Sequence, residues 1–113
     1  MDCIFCKIAD GDIPTDILYQ DKEVTAFRDI NPVAPTHLLI IPKKHIPSLT
    51  NLSKAESSLV GDMVNIANQL AKSENISENG YRLVINCGVQ GGQLVPHLHL
   101  HLLGGRKLSG TIG

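Results

Sequence analysis

The chain has 113 residues, 42% of them hydrophobic and 19% charged, which describes one globular domain over residues 1–113 and excludes a disordered polymer. A formal net charge of −1 gives no electrostatic footprint for a nucleic-acid duplex or an anionic membrane. No apolar run approaches the ~18 residues of a membrane span and the N-terminus carries no signal-like stretch, so a cytoplasmic location is expected, with three reduced cysteines that act as ligands or buried thiols.

Along the chain, Cys3-x-x-Cys6 comes first; it has zinc-ligand spacing but is only half a site. The β-prone runs 17–19 and 24–27, separated by Gln20-Asp21-Lys22-Glu23, predict a hairpin. Asn31-Pro32 and Ala34-Pro35 make a rigid connection, because a residue before proline is pushed away from helical geometry. Residues 37–41 predict a third strand, stopped by Pro42. The spacing of Leu59, Met63, Ile66, Ala67 and Leu70 predicts one long helix over 53–73, with Ser53 and Glu56 as its capping box. Asn79-Gly80 marks a turn, and runs 81–87 and 95–103 predict the fourth and fifth strands around a glycine-rich loop, 88–93. Short connections between sequential strands favour an α+β domain, an antiparallel sheet with the helix on one face and a single core.

The last strand carries the chemistry. Alternation puts His97, His99 and His101 on one face and Leu98, Leu100 and Leu102 on the other, where the helix stripe is available to them. A metal triad fits poorly: at ~3.3 Å per residue the outer two histidines lie about 13 Å apart, whereas zinc holds nitrogens at about 2.0–2.1 Å. One or two of them could still join ligands from elsewhere, and three plain surface histidines is the bland alternative. Phosphorus chemistry is the other reading. Neutral imidazole is a competent nucleophile near pH 7, a neighbouring imidazole can hydrogen-bond phosphate, and a glycine-rich loop supplies backbone amides that cradle it.

The run Gly91-Gly92-Gln93-Leu94-Val95-Pro96-His97-Leu98-His99-Leu100-His101-Leu102-Leu103-Gly104-Gly105-Arg106 resembles the signature of the histidine triad (HIT) hydrolases, in particular their Hint branch. Similarity extends to Ile4-Phe5-Cys6-Lys7-Ile8, Phe27-Arg28-Asp29-Ile30-Asn31-Pro32, Ala34-Pro35-Thr36-His37 and Ile41-Pro42-Lys43-Lys44-His45-Ile46. The resemblance implies a HIT-like five-stranded antiparallel sheet with one long and one short helix, paired as a homodimer. It implies a hydrolase of purine nucleoside 5′-phosphoramidates working through a nucleotidyl-histidine. His99 would attack the α-phosphorus, His101 would bind phosphate and assist the leaving group, and His37 would support it. Asn86, Gly92 and Gln93 would hold phosphate, and Asp29 both ribose hydroxyls. Ile4, Phe5, Ile8, Phe27 and Ile30 would form the nucleobase slot. For Asn86 and Asp29 the plainer readings are a turn former and an Asx turn.

Some relatives complete the cysteine pair with histidines, which here would give a structural zinc site of Cys3, Cys6, His45 and His97; two reduced thiols without metal is the alternative. Two departures from the Hint pattern stand out. Leu94 replaces a hydroxyl or polar residue near the leaving group, and the chain ends Leu108-Ser109-Gly110-Thr111-Ile112-Gly113 in place of a Trp-containing tail. Three further readings stay open: a dinucleoside polyphosphate hydrolase, a nucleotide-binding scaffold with vestigial catalysis, and a zinc module without catalysis.

Overall fold

The computed structural model describes residues 3–113. The chain begins with a short helix, α1 (Ile4–Ala9), capped by the Cys3 sulfur, which accepts the Cys6 N–H. Strands β1 (Ile17–Gln20), β2 (Val24–Arg28) and β3 (Thr36–Pro42) follow, the first two as the expected hairpin. The Asp21 carboxylate closes that hairpin by accepting the Glu23 and Val24 amides. The long helix α2 (Ser57–Ser73) leads to β4 (Tyr81–Val84) and β5 (Leu100–Gly104).

The predicted helix start is right in its cap and different in its first turn. Ser53 and Glu56 form the capping box, but residues 54–56 wind as a tighter 3₁₀ turn before α2 proper. At the other end of α2, Glu74 receives both guanidinium nitrogens of Arg28 at 2.6 and 2.9 Å, tying the helix terminus to the end of β2.

All strand pairs are antiparallel, in the spatial order β1-β2-β3-β5-β4. α2 carries the chain past one strand position, and β5 returns to fill it between β3 and β4. The apolar stripe of α2 covers one face: Met63, Ile66, Ala67 and Leu70 pack on Val24, Ala26, Leu38, Ile40, Leu100 and Leu102. α1 covers part of the other face, where Phe5 and Ile8 pack with Phe27, Leu39 and Ile41. The sheet therefore separates two apolar clusters where a single core was expected. Because β3 is covered on both faces, all seven of its residues are buried, Thr36 and His37 among them, and the run Leu38-Leu39-Ile40-Ile41 is apolar without alternation. Each such side chain contributes about 1.5–3 kcal/mol by leaving water.

Two strand predictions ran too long. β4 stops at Val84 rather than 87, and β5 starts at Leu100 rather than 95. Ile40 lies opposite Leu100. Extending that register would set Leu98 against Pro42, which has no N–H to give. The Leu98 N–H goes to the Ile46 carbonyl at 2.7 Å instead, and residues 95–99 leave the ladder. No helix among the described residues is long and apolar enough to cross a membrane.

Candidate active site

The histidine face survives the loss of regular strand. Phe5, on α1, meets the rings of His97 and His99 edge-on at centroid distances of 5.9 and 5.1 Å, and His99 lies 4.9 Å from His101. Beside them opens a cavity of about 320 Å³ whose lining includes Phe5, Asp29, His37, Asn86, His99 and His101. Depressions of about 470 and 660 Å³ lie elsewhere, but no histidine or cysteine lines either, so the chemistry belongs to the smaller one.

Hydrogen bonds to the backbone assign the proton on each ring. His99 Nδ1 is 2.7 Å from the His97 carbonyl, which can only accept. The proton therefore sits on Nδ1, and Nε2 keeps its lone pair. The Val33 N–H donates to His37 Nδ1 at 3.1 Å, so neutral His37 carries its proton on Nε2. That proton faces His101 Nδ1 at 3.0 Å, with Asp29 Oδ2 at 3.4 Å, and His101 in turn carries its own on Nε2. Both rings are held neutral. Burial lowers His37 despite nearby Asp29, and burial, reinforced by the repulsion a cationic His101 would meet from His99 and His37 and only partly opposed by Asp29, lowers His101 to about 4. The cross-strand geometry follows from register: His37 lies opposite Leu103 and Leu39 opposite His101, so His37 and His101 are diagonal neighbours on one face.

The other predicted residues divide. Asp29 lines the cavity, and its Oδ1 also accepts the Asn31 N–H at 2.8 Å, so the Asx turn and the cavity carboxylate are one residue. Asn86 and Gly92 line it too, with Asn86 Nδ2 donating to the Gly91 carbonyl. Gly91 is required: a Cβ there would come within 2.2 Å of the Cys87 carbonyl oxygen. The Gln93 side chain turns into its own loop. Its Nε2 donates to the Pro47 and Val95 carbonyls and its Oε1 accepts the Gly88 N–H, leaving no side-chain hydrogen for a phosphate. The Gly92 and Gln93 amides also bond inward, to Val89 and Gly88, so these two do not serve as a cradle.

Of the proposed base slot, only Phe5 lines the cavity. Phe27 and Ile8 are buried behind it in the α1 cluster, while Ile4 and Ile30, next in sequence to Phe5 and Asp29, are exposed. Sequence reasoning missed Val33, Leu39, Val84, Val95 and Leu103 as lining residues. For Val33 a signal existed, since it sits between the two prolines that fix the connection to β3.

A second cluster lies on the far side of Phe5. The sulfurs of Cys3 and Cys6 and one ring nitrogen each of His45 and His97 all lie within 4.8 Å of one another. His97 Nδ1 is 3.3 Å from Cys3 Sγ, 3.5 Å from Cys6 Sγ and 3.3 Å from His45 Nδ1, and His45 Nδ1 is 3.3 Å from Cys6 Sγ. A tetrahedral ion with Zn–S near 2.3 Å and Zn–N near 2.05 Å sets its ligands about 3.3–3.8 Å apart, so the donor set matches in number, type and spacing. The tautomer fits too: His97 Nε2 donates to the Pro42 carbonyl at 2.8 Å, which leaves the Nδ1 lone pair facing the sulfurs. Burial, then the Cys3 thiol, push Cys6 up to about 11; a cation among the donors would reverse that shift. Asp29, His37 and His101 also converge within 4.8 Å, but there the His37 proton points into the cluster, which is a hydrogen-bond arrangement and not a ligand set.

A histidine lining the cavity with its Nδ1 committed to a backbone carbonyl, two histidines beside it whose burial favours the neutral form, and a Cys₂His₂ cluster behind define a histidine-centred site on a five-stranded antiparallel sheet. The chain belongs to the HIT family, whose domain model matches residues 10–108. It is 52% identical over 105 residues to the purine nucleoside phosphoramidase of Escherichia coli strain K12, covering 93% of this chain and 88% of that one. It is 50% identical over 109 residues to a 14 kDa zinc-binding protein of Zea mays, covering 94% and 84%. Among solved structures, a HIT family hydrolase from Legionella pneumophila Philadelphia 1 superposes with a TM-score of 0.96 at 52% identity, over 99% of this chain and 100% of that one.

Proposed function

We propose that this protein hydrolyses purine nucleoside 5′-phosphoramidates, with His99 as nucleophile. The carrying observation is the 2.7 Å contact of His99 Nδ1 with the His97 carbonyl, which places the proton on one nitrogen and leaves the other bare beside the cavity. The substrate reacts in the form protonated by solvent on its phosphoramidate nitrogen: His99 Nε2 attacks the α-phosphorus, an Nε2–P bond forms as the P–N bond breaks, and the neutral amine departs with that proton. Water then attacks phosphorus, the Nε2–P bond breaks, a proton is released to solvent, and neutral His99 and the nucleoside monophosphate result. His101, its Nε2–H set by His37, donates to phosphate oxygen as charge builds in the transition state. The Asp29 carboxylate takes the ribose, Asn86 contacts phosphate through the Nδ2 hydrogen not given to Gly91, Gly92 gives the phosphate room as a side-chain-free part of the wall, and Gln93 acts indirectly by stapling the 88–93 loop to Val95 and Pro47. Phe5 forms the inner wall of the base slot, with Phe27 and Ile8 supporting it and Ile4 and Ile30 at its edges. Cys3, Cys6, His45 and His97 hold a structural zinc ion.

Two considerations support this reading: burial lowers His37 and His101 and so favours uncharged rings beside His99, and the Escherichia coli relative carries that activity in its name. Turnover of adenosine 5′-phosphoramidate, measured beside a diadenosine polyphosphate, tests it. The amidate should be the better substrate, and His99→Ala should abolish hydrolysis while still binding nucleoside monophosphate. Turnover by His99→Ala within about tenfold of wild type, roughly 1.4 kcal/mol of barrier, would overturn the nucleophile assignment.

A further inference from the structure

We infer that the Cys₂His₂ cluster is a positioning device for the nucleophile, acting through the peptide plane between residues 97 and 98; the inference rests on the proposed roles of zinc and of His99. The carbonyl of that plane orients His99, because it receives the Nδ1 proton. β5 begins at Leu100, so no ladder hydrogen bond of the sheet holds this plane. Two other anchors do. The N–H of the same plane, on Leu98, donates to the Ile46 carbonyl at 2.7 Å. The side chain attached to its start, His97, is fully buried and fixed at both nitrogens: Nε2 to the Pro42 carbonyl, Nδ1 among Cys3, Cys6 and His45.

Both anchors lead to the cluster, since Ile46 follows the ligand His45 and His97 is itself a ligand. A peptide group is rigid, so fixing its N–H and the adjoining ring fixes the direction of its carbonyl. α1 adds a third link. Phe5, between the two cysteines, packs edge-on against both His97 and His99. A filled cluster thus holds three chain segments at separations that leave His99 Nε2 bare. An empty one leaves two thiols and two imidazoles to hydrogen-bond in several arrangements, and the carbonyl at 97 follows whichever His97 adopts. His97 is a positioning residue in this scheme and touches no substrate.

The test compares zinc-loaded protein, chelator-stripped protein and stripped protein refilled with zinc. The readouts are kcat, KM for adenosine 5′-phosphoramidate, and the ¹⁵N signals of the His99 ring, which report which nitrogen bears the proton. Stripping should lower kcat at least tenfold with KM within about threefold, and the Nδ1–H form of His99 should give way to a mixture; refilling should restore both. Stripped, folded protein that keeps kcat and the Nδ1–H form overturns the inference, as does protein that never takes up zinc. If stripping unfolds the chain, His45→Gln, which removes a half-buried ligand, is measured in its place; unfolding of that variant too makes the cluster a folding determinant only and overturns the inference. Absence of phosphoramidate turnover in zinc-loaded wild type is a separate failure, that of the proposed function, and the ring signals still decide the coupling.

Discussion

Leu94 is the departure from the Hint pattern that lies at the cavity, and its setting allows a quantitative expectation. It lines the cavity yet is 92% exposed, so it contributes little packing. Replacing it with serine should change stability by no more than about 0.5 kcal/mol. A hydroxyl at that position can hydrogen-bond the leaving nitrogen or a phosphate oxygen as the P–N bond breaks, which leucine cannot. A hydrogen bond to a charged group is worth roughly 1.5–3 kcal/mol, about ten- to a hundredfold in rate when it forms only in the transition state. Leu94→Ser should therefore raise kcat/KM for a phosphoramidate by about that factor, with little change in nucleoside monophosphate affinity and a smaller gain for a dinucleoside polyphosphate. Steady-state kinetics on both substrates and calorimetry with the monophosphate are the assay. If serine slows both substrates, leucine packs against the bound leaving group, and the hydrogen-bond argument for this position is wrong.

Purified protein should carry about one zinc per chain, and chelation should lower the melting temperature; metal-free protein with an unchanged melting temperature would refute the Cys₂His₂ assignment. Stability should fall as pH drops from about 6.5 toward about 4, because His101 binds its proton later in the folded than in the unfolded chain and the unfolded state holds more protons across that window. Denaturant titrations of His101→Gln should show a shallower loss over the same range, and an identical pH dependence would refute this attribution. β4 ends the sheet order, so its outer edge is open to a second copy, and light scattering at micromolar concentration should give a dimer mass; a monomer throughout would refute it.

Residue type and spacing outlined most of the elements of this protein, and the family resemblance supplied its expected chemistry. The period of Met63, Ile66, Ala67 and Leu70, the Ser53–Glu56 cap and the alternation of histidine with leucine are local signals, and each reappears in the fold. The four prospective zinc ligands were likewise legible from residue type and family resemblance, and their donor atoms do converge. What needed the tertiary structure was everything set by partners distant in sequence. β5 lies between β3 and β4 because α2 leaves that position open, and no local pattern encodes a crossover. β5 starts late because Pro42, more than fifty residues earlier, has no N–H where the register would need one. The partner of the Gln93 side chain, the Pro47 carbonyl, lies 46 residues away in the chain and only folding brings it there. The proton positions on His37, His97 and His99 were decided in the same way: a histidine's tautomer is chosen by the carbonyl or amide that happens to face it, and only the folded chain brings Val33, Pro42 and the His97 carbonyl to those rings.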